Sequence, residues 1–127
     1  MPFLCEYIAQ FGEQTGIQTH VECADNPRTS LSPVCEVQLV RIMQEALANV
    51  RQHARAENVW VSLEDNGTGF EVEIRDDGVG FVEHSEGRRF GLKSMRERTE
   101  SVHGELLIDS TPGRGTRIRL RVPRSDT

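Results

Sequence analysis

Between Val34 and about Ala54, the apolar residues Val37, Leu39, Val40, Ile42, Met43, Ala46, Leu47 and Val50 recur at intervals of three and four. That spacing predicts a long helix with one broad apolar face, and such a helix is stable only if something covers the face. The cover is legible downstream. NVWVSLED (58–65) and FEVEIRDD (70–77) alternate apolar and polar residues, as strands with one buried face do. They are joined across Asn66-Gly67, a hairpin signal, with Thr68-Gly69 lengthening the turn. LLIDS (106–110) and TRIRLRV (116–122) repeat the pattern across the turn Thr111-Pro112-Gly113-Arg114-Gly115.

The remaining elements fit around these. Phe3, Leu4, Tyr7, Ile8 and Phe11 predict a helix over residues 3–14, and IQTHVEC (17–23) alternates like a strand with Ile17, Thr19, Val21 and Cys23 on one face. Ser32 and Pro33 read as the cap and first position of the long helix. A further helix runs from Leu92 to about Val102 and is closed by Gly104. The order helix, strand, helix, strand, strand, helix, strand, strand predicts an α+β fold. It is a two-layer α/β sandwich, with the helices on one face of a mixed, mostly antiparallel sheet. At 127 residues the chain suits one domain.

Composition excludes several function classes. A formal charge of −5 supplies no basic field for DNA or anionic lipid, so no direct nucleic-acid partner is expected. No apolar run is long enough to span a bilayer, and MPFLCEYIAQ lacks the pattern of a secretion signal, so a cytoplasmic location is expected. That opening reads instead as a helix that starts abruptly, as if cut from something longer. Cys5, Cys23 and Cys35 are far apart and form no CxxC pair, which predicts free thiols. Arginines cluster at 88, 89, 96, 98, 114, 117, 119 and 121. They read as solvated faces of a helix and a strand, or as partners for phosphate near a glycine loop.

Two stretches carry chemistry. In 75-RDDGVGF-81, carboxylates at the end of a strand are followed by Gly78 and Gly80. The glycines permit positive φ and close approach of a ligand to backbone, while an acid there can accept from an amino group. In 44-QEALANVRQHA-54, Glu45 and Asn49 are four residues apart on one helix face, with His53 four further on. Oxygen-bearing side chains at that spacing suit Mg²⁺, which shares its shell with phosphate and water. Alone, the first stretch is more often an ordinary turn and the second a solvent-facing helix edge.

Together they resemble the ATP-binding catalytic domain of sensor histidine kinases, within the GHKL ATPase fold shared with gyrase B, MutL and the heat-shock chaperones. The likeness covers nearly the whole chain. 44-QEALANVRQHA-54 resembles that family's N box, 76-DDGVGF-81 its first glycine box and 90-FGLKSMRERTESVHG-104 its second; 110-STPGRGTRIRLRVP-123 is similar to its closing hairpin. QEAL and GLKSMRER resemble the branch of nitrate, desaturase and cell-envelope sensors.

The resemblance implies ATP and Mg²⁺ as cofactors and a role for each matching residue. Asn49 would coordinate Mg²⁺, and Glu45 would orient a water or hydroxyl. Asp76 would accept from the adenine amino group, with Gly78 and Gly80 shaping the base pocket. Gly91 and Leu92 would offer backbone N–H groups to the phosphates at a helix start. Thr116 would line the nucleotide, and His53 would lie near the phosphates. Gln52 stands where relatives often carry lysine, leaving Arg51, Arg88 or Arg89 as substitute cations, and 82-VEHSEGRRF-90 implies a short lid over the ATP.

The resemblance further implies a single catalytic domain over 1–127, without its dimerisation, phosphoacceptor and sensor domains. None of His20, His53, His84 or His103 sits in a phosphoacceptor setting. The implied partners are ATP or ADP, the kinase's own dimerisation domain and a response regulator, with the free chain monomeric. The alternatives on the same fold are an anti-sigma-factor type of serine kinase and a nucleotide-binding module without transfer activity.

Overall fold

The computed structural model describes residues 2–23, 32–65, 69–80 and 92–123. Helix α1 (Pro2–Thr15) leads into strand β1 (Gln18–Cys23), and α2 (Pro33–Asn49) runs directly into a π-helical turn (Val50–Ala54). Strands β2 (Asn58–Asp65) and β3 (Gly69–Asp76) follow, then α3 (Leu92–Ser101), β4 (Glu105–Ser110) and β5 (Thr116–Pro123). The strands form one sheet in the order β1-β2-β3-β5-β4. Only β1 and β2 are parallel, as the α2 crossover between them requires; the other pairings are antiparallel. This is the predicted mixed, mostly antiparallel sandwich.

Alternation decides which side of the sheet is covered. Val59, Val61 and Leu63 of β2, Phe70, Val72 and Ile74 of β3, and Ile118, Leu120 and Val122 of β5 are all buried. They form one core with Leu39, Ile42, Met43, Ala46 and Leu47 of α2, Ile8 and Phe11 of α1, and Leu92 and Met95 of α3. Complete burial of one such side chain contributes about 1.5–3 kcal/mol, so the helix layer and the sheet hold one another in place. Val21 points the same way but keeps 39% of its surface, because β1 is the outermost strand.

The opposite face of the sheet is charged. Arg117 and Arg119 on β5 approach Glu73 at 3.2 and 3.5 Å, and Arg121 approaches Glu71 at 3.7 Å. These arginines are therefore cross-strand partners of β3 carboxylates. Being well exposed, each pair contributes on the order of 0.2–1 kcal/mol. On the same face the Trp60 ring is stacked on His20, with centroids 5.4 Å apart, and carries the Arg75 guanidinium 4.5 Å from its centroid.

Two local expectations need adjustment. Ser32 caps α2 as predicted, accepting from the Cys35 N–H at 3.1 Å, but regular α-helix stops at Asn49 and the last turn to Ala54 is π-helical. Arg55 then takes left-handed backbone, φ 52, to release the chain toward β2. At the end of α3 the left-handed residue is His103, φ 60, one before the glycine expected there. The Gly104 N–H bonds the Thr99 carbonyl at 2.9 Å and that of His103 bonds Glu100 at 3.0 Å, a Schellman closure. Gly104 is needed for a different reason: a Cβ there would lie 2.7 Å from the Arg121 carbonyl oxygen. Of the three cysteines, Cys35 is a buried free thiol whose pKa is pushed up by burial and by Glu36; the side chains of Cys5 and Cys23 lie outside the described residues. Among the described residues no helix is long and apolar enough to cross a membrane.

Candidate functional site

Asp76 is the last residue of β3 and continues the face of Val72 and Ile74, so its carboxylate is directed to the helix-covered side and is only 6% exposed. Its Oδ1 accepts the Gly78 N–H at 2.8 Å. Burial pushes the pKa of this carboxyl up, and the neighbouring charge of Asp77 adds to the rise, against backbone N–H groups of Gly78 and Thr116 that pull it down. Directly across the β3–β5 pairing stands Thr116, also buried, with its Oγ1 2.8 Å from the Ser110 hydroxyl. The two residues assigned to adenine and to the closing hairpin are thus brought together at one end of the sheet.

Backbone packing fixes that end. The Gly113 N–H donates to the Val79 carbonyl at 2.6 Å, tying the acid-glycine loop to the β4–β5 turn. Gly80 has φ 68, and a Cβ there would overlap the Thr111 carbonyl oxygen; one on Gly115, φ 81, would overlap the Asp76 carbonyl oxygen. Only glycine meets both conditions at these positions. Gly78 differs from the expectation. It is not among the residues with positive φ, and its part is to donate its N–H to Asp76.

Asp77 does something the sequence did not disclose. Its carboxylate points away from Asp76 and accepts from the Glu57 N–H, the Asn58 N–H and Asn58 Nδ2, each at 2.9 Å. Since Nδ2 is committed to Asp77, Asn58 Oδ1 is the acceptor toward His20, and His20 Nε2, 3.0 Å away, carries the proton. The two acids therefore divide the work: Asp76 faces the interior and Asp77 clamps the start of β2. These hydrogen bonds hold the Asp77 pKa below its usual value, so its stabilisation is present above about pH 4 and lost as pH falls through the depressed folded value. Asp77→Ala is expected to cost about 1–2 kcal/mol at pH 7, a low figure for three bonds because the group is exposed. Thermal melts of both proteins should show a deficit at neutral pH that shrinks below about pH 4; an unchanged melting temperature at pH 7 would contradict the clamp.

On α2, Glu45 and Asn49 are half-buried and one turn apart, as predicted. Glu45 Oε1 accepts from the Ser94 hydroxyl at 3.0 Å, whereas Oε2 is buried without a hydrogen-bond partner. A buried carboxylate oxygen left without a partner, one turn from a side-chain amide, is a donor set suited to a hard cation or its water. Among the described residues no three His, Cys, Asp or Glu side chains converge on a metal position. A cation at this site would thus take most of its shell from phosphate and water, as Mg²⁺ does.

The other assigned residues are less fully placed. Leu92 opens α3 as expected, with its side chain in the core. His53 lies in the π-helical turn, and its side chain is outside the described residues, as are Gly91, Arg88, Arg89 and the segment 82–90 in which a lid was expected. Arg51 is exposed on the π turn.

Comparison with known proteins bears on the family and the fold. Residues 35–126 match the family described as histidine kinase-, DNA gyrase B- and HSP90-like ATPases. The chain is 39% identical over 125 residues to the signal transduction histidine-protein kinase/phosphatase DegS of Brevibacillus brevis, covering 97% of this chain and 32% of that protein. It is 35% identical over 122 residues to the oxygen sensor histidine kinase NreB of Staphylococcus carnosus, covering 94% and 35%. The chain therefore spans about a third of the length of these relatives. In fold it is similar to the histidine kinase domain of a blue-light activated histidine kinase from Erythrobacter litoralis, with a TM-score of 0.81 at 19% identity, covering 97% of this chain and 60% of that one. The family match and these relatives mark an ATP-binding domain. The chain belongs to the histidine kinase-, DNA gyrase B- and HSP90-like ATPase family.

Proposed function

We propose that this chain is the ATP-binding catalytic domain of a sensor histidine kinase. It would bind ATP with Mg²⁺ and donate the γ-phosphoryl group to a histidine on a dimerising helical hairpin, for relay to an aspartate of a response regulator. The observation that carries this reading is the buried carboxylate of Asp76, set opposite Thr116 at the sheet end beside a loop that only glycine allows. The relatives named above, sensor kinases matched over nearly the whole of this chain, support the choice of acceptor.

The mechanism follows from the residues. Ionised Asp76 accepts from the exocyclic amino group of adenine, and guanine places a carbonyl oxygen at that position, so two acceptors would face one another. Gly78 and Gly80 let the purine approach backbone. The first N–H groups of α3, which have no partner within the helix, are available to phosphate oxygens. Asn49 and Glu45 are the residues to hold Mg²⁺ or its water, and the cation supplies neutralisation of charge on the phosphates. Glu45 Oε2 is free to orient a hydroxyl or water. An imidazole nitrogen of the acceptor takes the γ-phosphorus as its bond to the β-phosphate oxygen breaks, and ADP leaves. Placement and electrostatics supply the catalysis.

The test is phosphoryl transfer from ATP to a histidine-bearing helical hairpin added to the chain. The expected adduct is lost in acid and survives in base, as an N–P bond does. An acid-stable, base-labile adduct would mark a serine kinase, and no adduct with nucleotide bound would mark a binding module.

A further inference from the structure

We infer that Ser94 and Arg98 of α3 are positioning residues for Glu45, fixing one carboxylate oxygen so that the other is presented for work. This rests on the role given to Glu45 above.

The juxtaposition is a cross-helix one. Gln38 and Glu45 are seven residues apart on one face of α2, and Ser94 and Arg98 are four apart on the face of α3 that meets it. Ser94 Oγ donates to Glu45 Oε1 at 3.0 Å. Arg98 Nη1 donates to Gln38 Oε1 at 3.1 Å, which anchors the guanidinium and leaves its Nε 4.0 Å from the same Glu45 Oε1. That separation is too long for a hydrogen bond but close enough for charge attraction.

Both holds fall on Oε1. Oε2 has no partner, although its surface is buried, and an acceptor in that condition is costly unless the site uses it. A glutamate on a helix face has several rotatable bonds, and its carboxylate would otherwise sample several positions. Two contacts from a neighbouring helix, one a hydroxyl donor and one a guanidinium, reduce those positions and keep Oε2 aimed. Here Gln38 takes the direct Arg98 bond and Glu45 keeps one oxygen open.

The test pairs Ser94→Ala, Arg98→Met and Arg98→Lys with Glu45→Gln, measuring ADP affinity by calorimetry and the rate of transfer to the added histidine hairpin. Ser94→Ala and Arg98→Met are expected to leave affinity within about twofold and to slow transfer roughly ten- to a hundredfold, the scale of a displaced reacting group. Arg98→Lys should recover part of the loss, since it keeps the charge without the fork that reaches Gln38 as well. In the Glu45→Gln background the same substitutions should slow transfer no further, because the group they position has already been altered. Equal slowing in both backgrounds, or parental rates in the parental background, would overturn the inference while leaving the role of Glu45 intact. A parental rate for Glu45→Gln would remove that role and the inference with it. Should Arg98→Met fail to bind ADP through misfolding, Ser94→Ala, which removes a single hydroxyl, decides the matter.

Discussion

Asp76→Asn is expected to lower affinity for ADP on the order of ten- to a hundredfold while raising the melting temperature of the nucleotide-free protein. The loss has a direct cause. A carboxylate offers only acceptors to the adenine amino group, whereas the amide can turn a donor toward that donor and lacks the charge that strengthens the bond. The gain in stability comes from the same burial that serves binding. Because the folded pKa of Asp76 is raised, its ionisation opposes folding: the stabilisation from the neutral form is complete below the unfolded value near pH 4 and is lost as pH rises through the folded value. Asparagine is neutral throughout and keeps an oxygen for the Gly78 N–H. Its thermal advantage should therefore be present at neutral pH and fade as pH is lowered through the raised pKa, where the parental carboxyl takes up its own proton. Calorimetric titration with ADP and thermal melts across pH check both halves. Retained affinity, or a lower melting temperature at neutral pH, would contradict the placement of this carboxylate.

Asn49→Ala is expected to do the reverse, slowing histidine phosphorylation about a hundredfold or more while changing ADP affinity only modestly. Asn49 lies at the end of the α-helical part of α2, one turn from the buried, partnerless Oε2 of Glu45, and the proposed role sets it at the phosphates rather than the base. Charge that develops there during transfer is felt in the rate more than in ground-state binding. Transfer to the hairpin at saturating ATP, set beside the ADP titration, separates the two effects. A parental transfer rate would remove Asn49 from the catalytic group.

Much of this was readable in the chain because the governing rules are local. The stripe of α2, the alternation of β2, β3 and β5, and the Ser32-Pro33 start each depend on neighbours within a few residues, and the sheet and core follow from matching one-faced elements. The motifs around Asp76 and Asn49 put them at the end of a strand and on the long helix, where the structure has them. What stayed hidden depends on contacts between distant segments. Asp77 carries no local sign that the start of β2 converges on it, and nothing near Ser94 or Arg98 points to Glu45, 49 residues from Ser94. The arginines of β5 read as a solvated strand face, but alternation says only which residues share a face, so their Glu73 partner on β3 was not legible. The π turn after Asn49 was missed because apolar spacing predicts a helix and is silent on the hydrogen-bond pattern of its last turn.

The most direct measurement of the central claim is calorimetric titration of the chain with ATP and with GTP, each in the presence of Mg²⁺. The account predicts that ATP binds and that GTP binds far more weakly, because the carboxylate of Asp76 meets a donor on adenine and an acceptor on guanine. Equal affinity for the two nucleotides, or none for ATP, would contradict it.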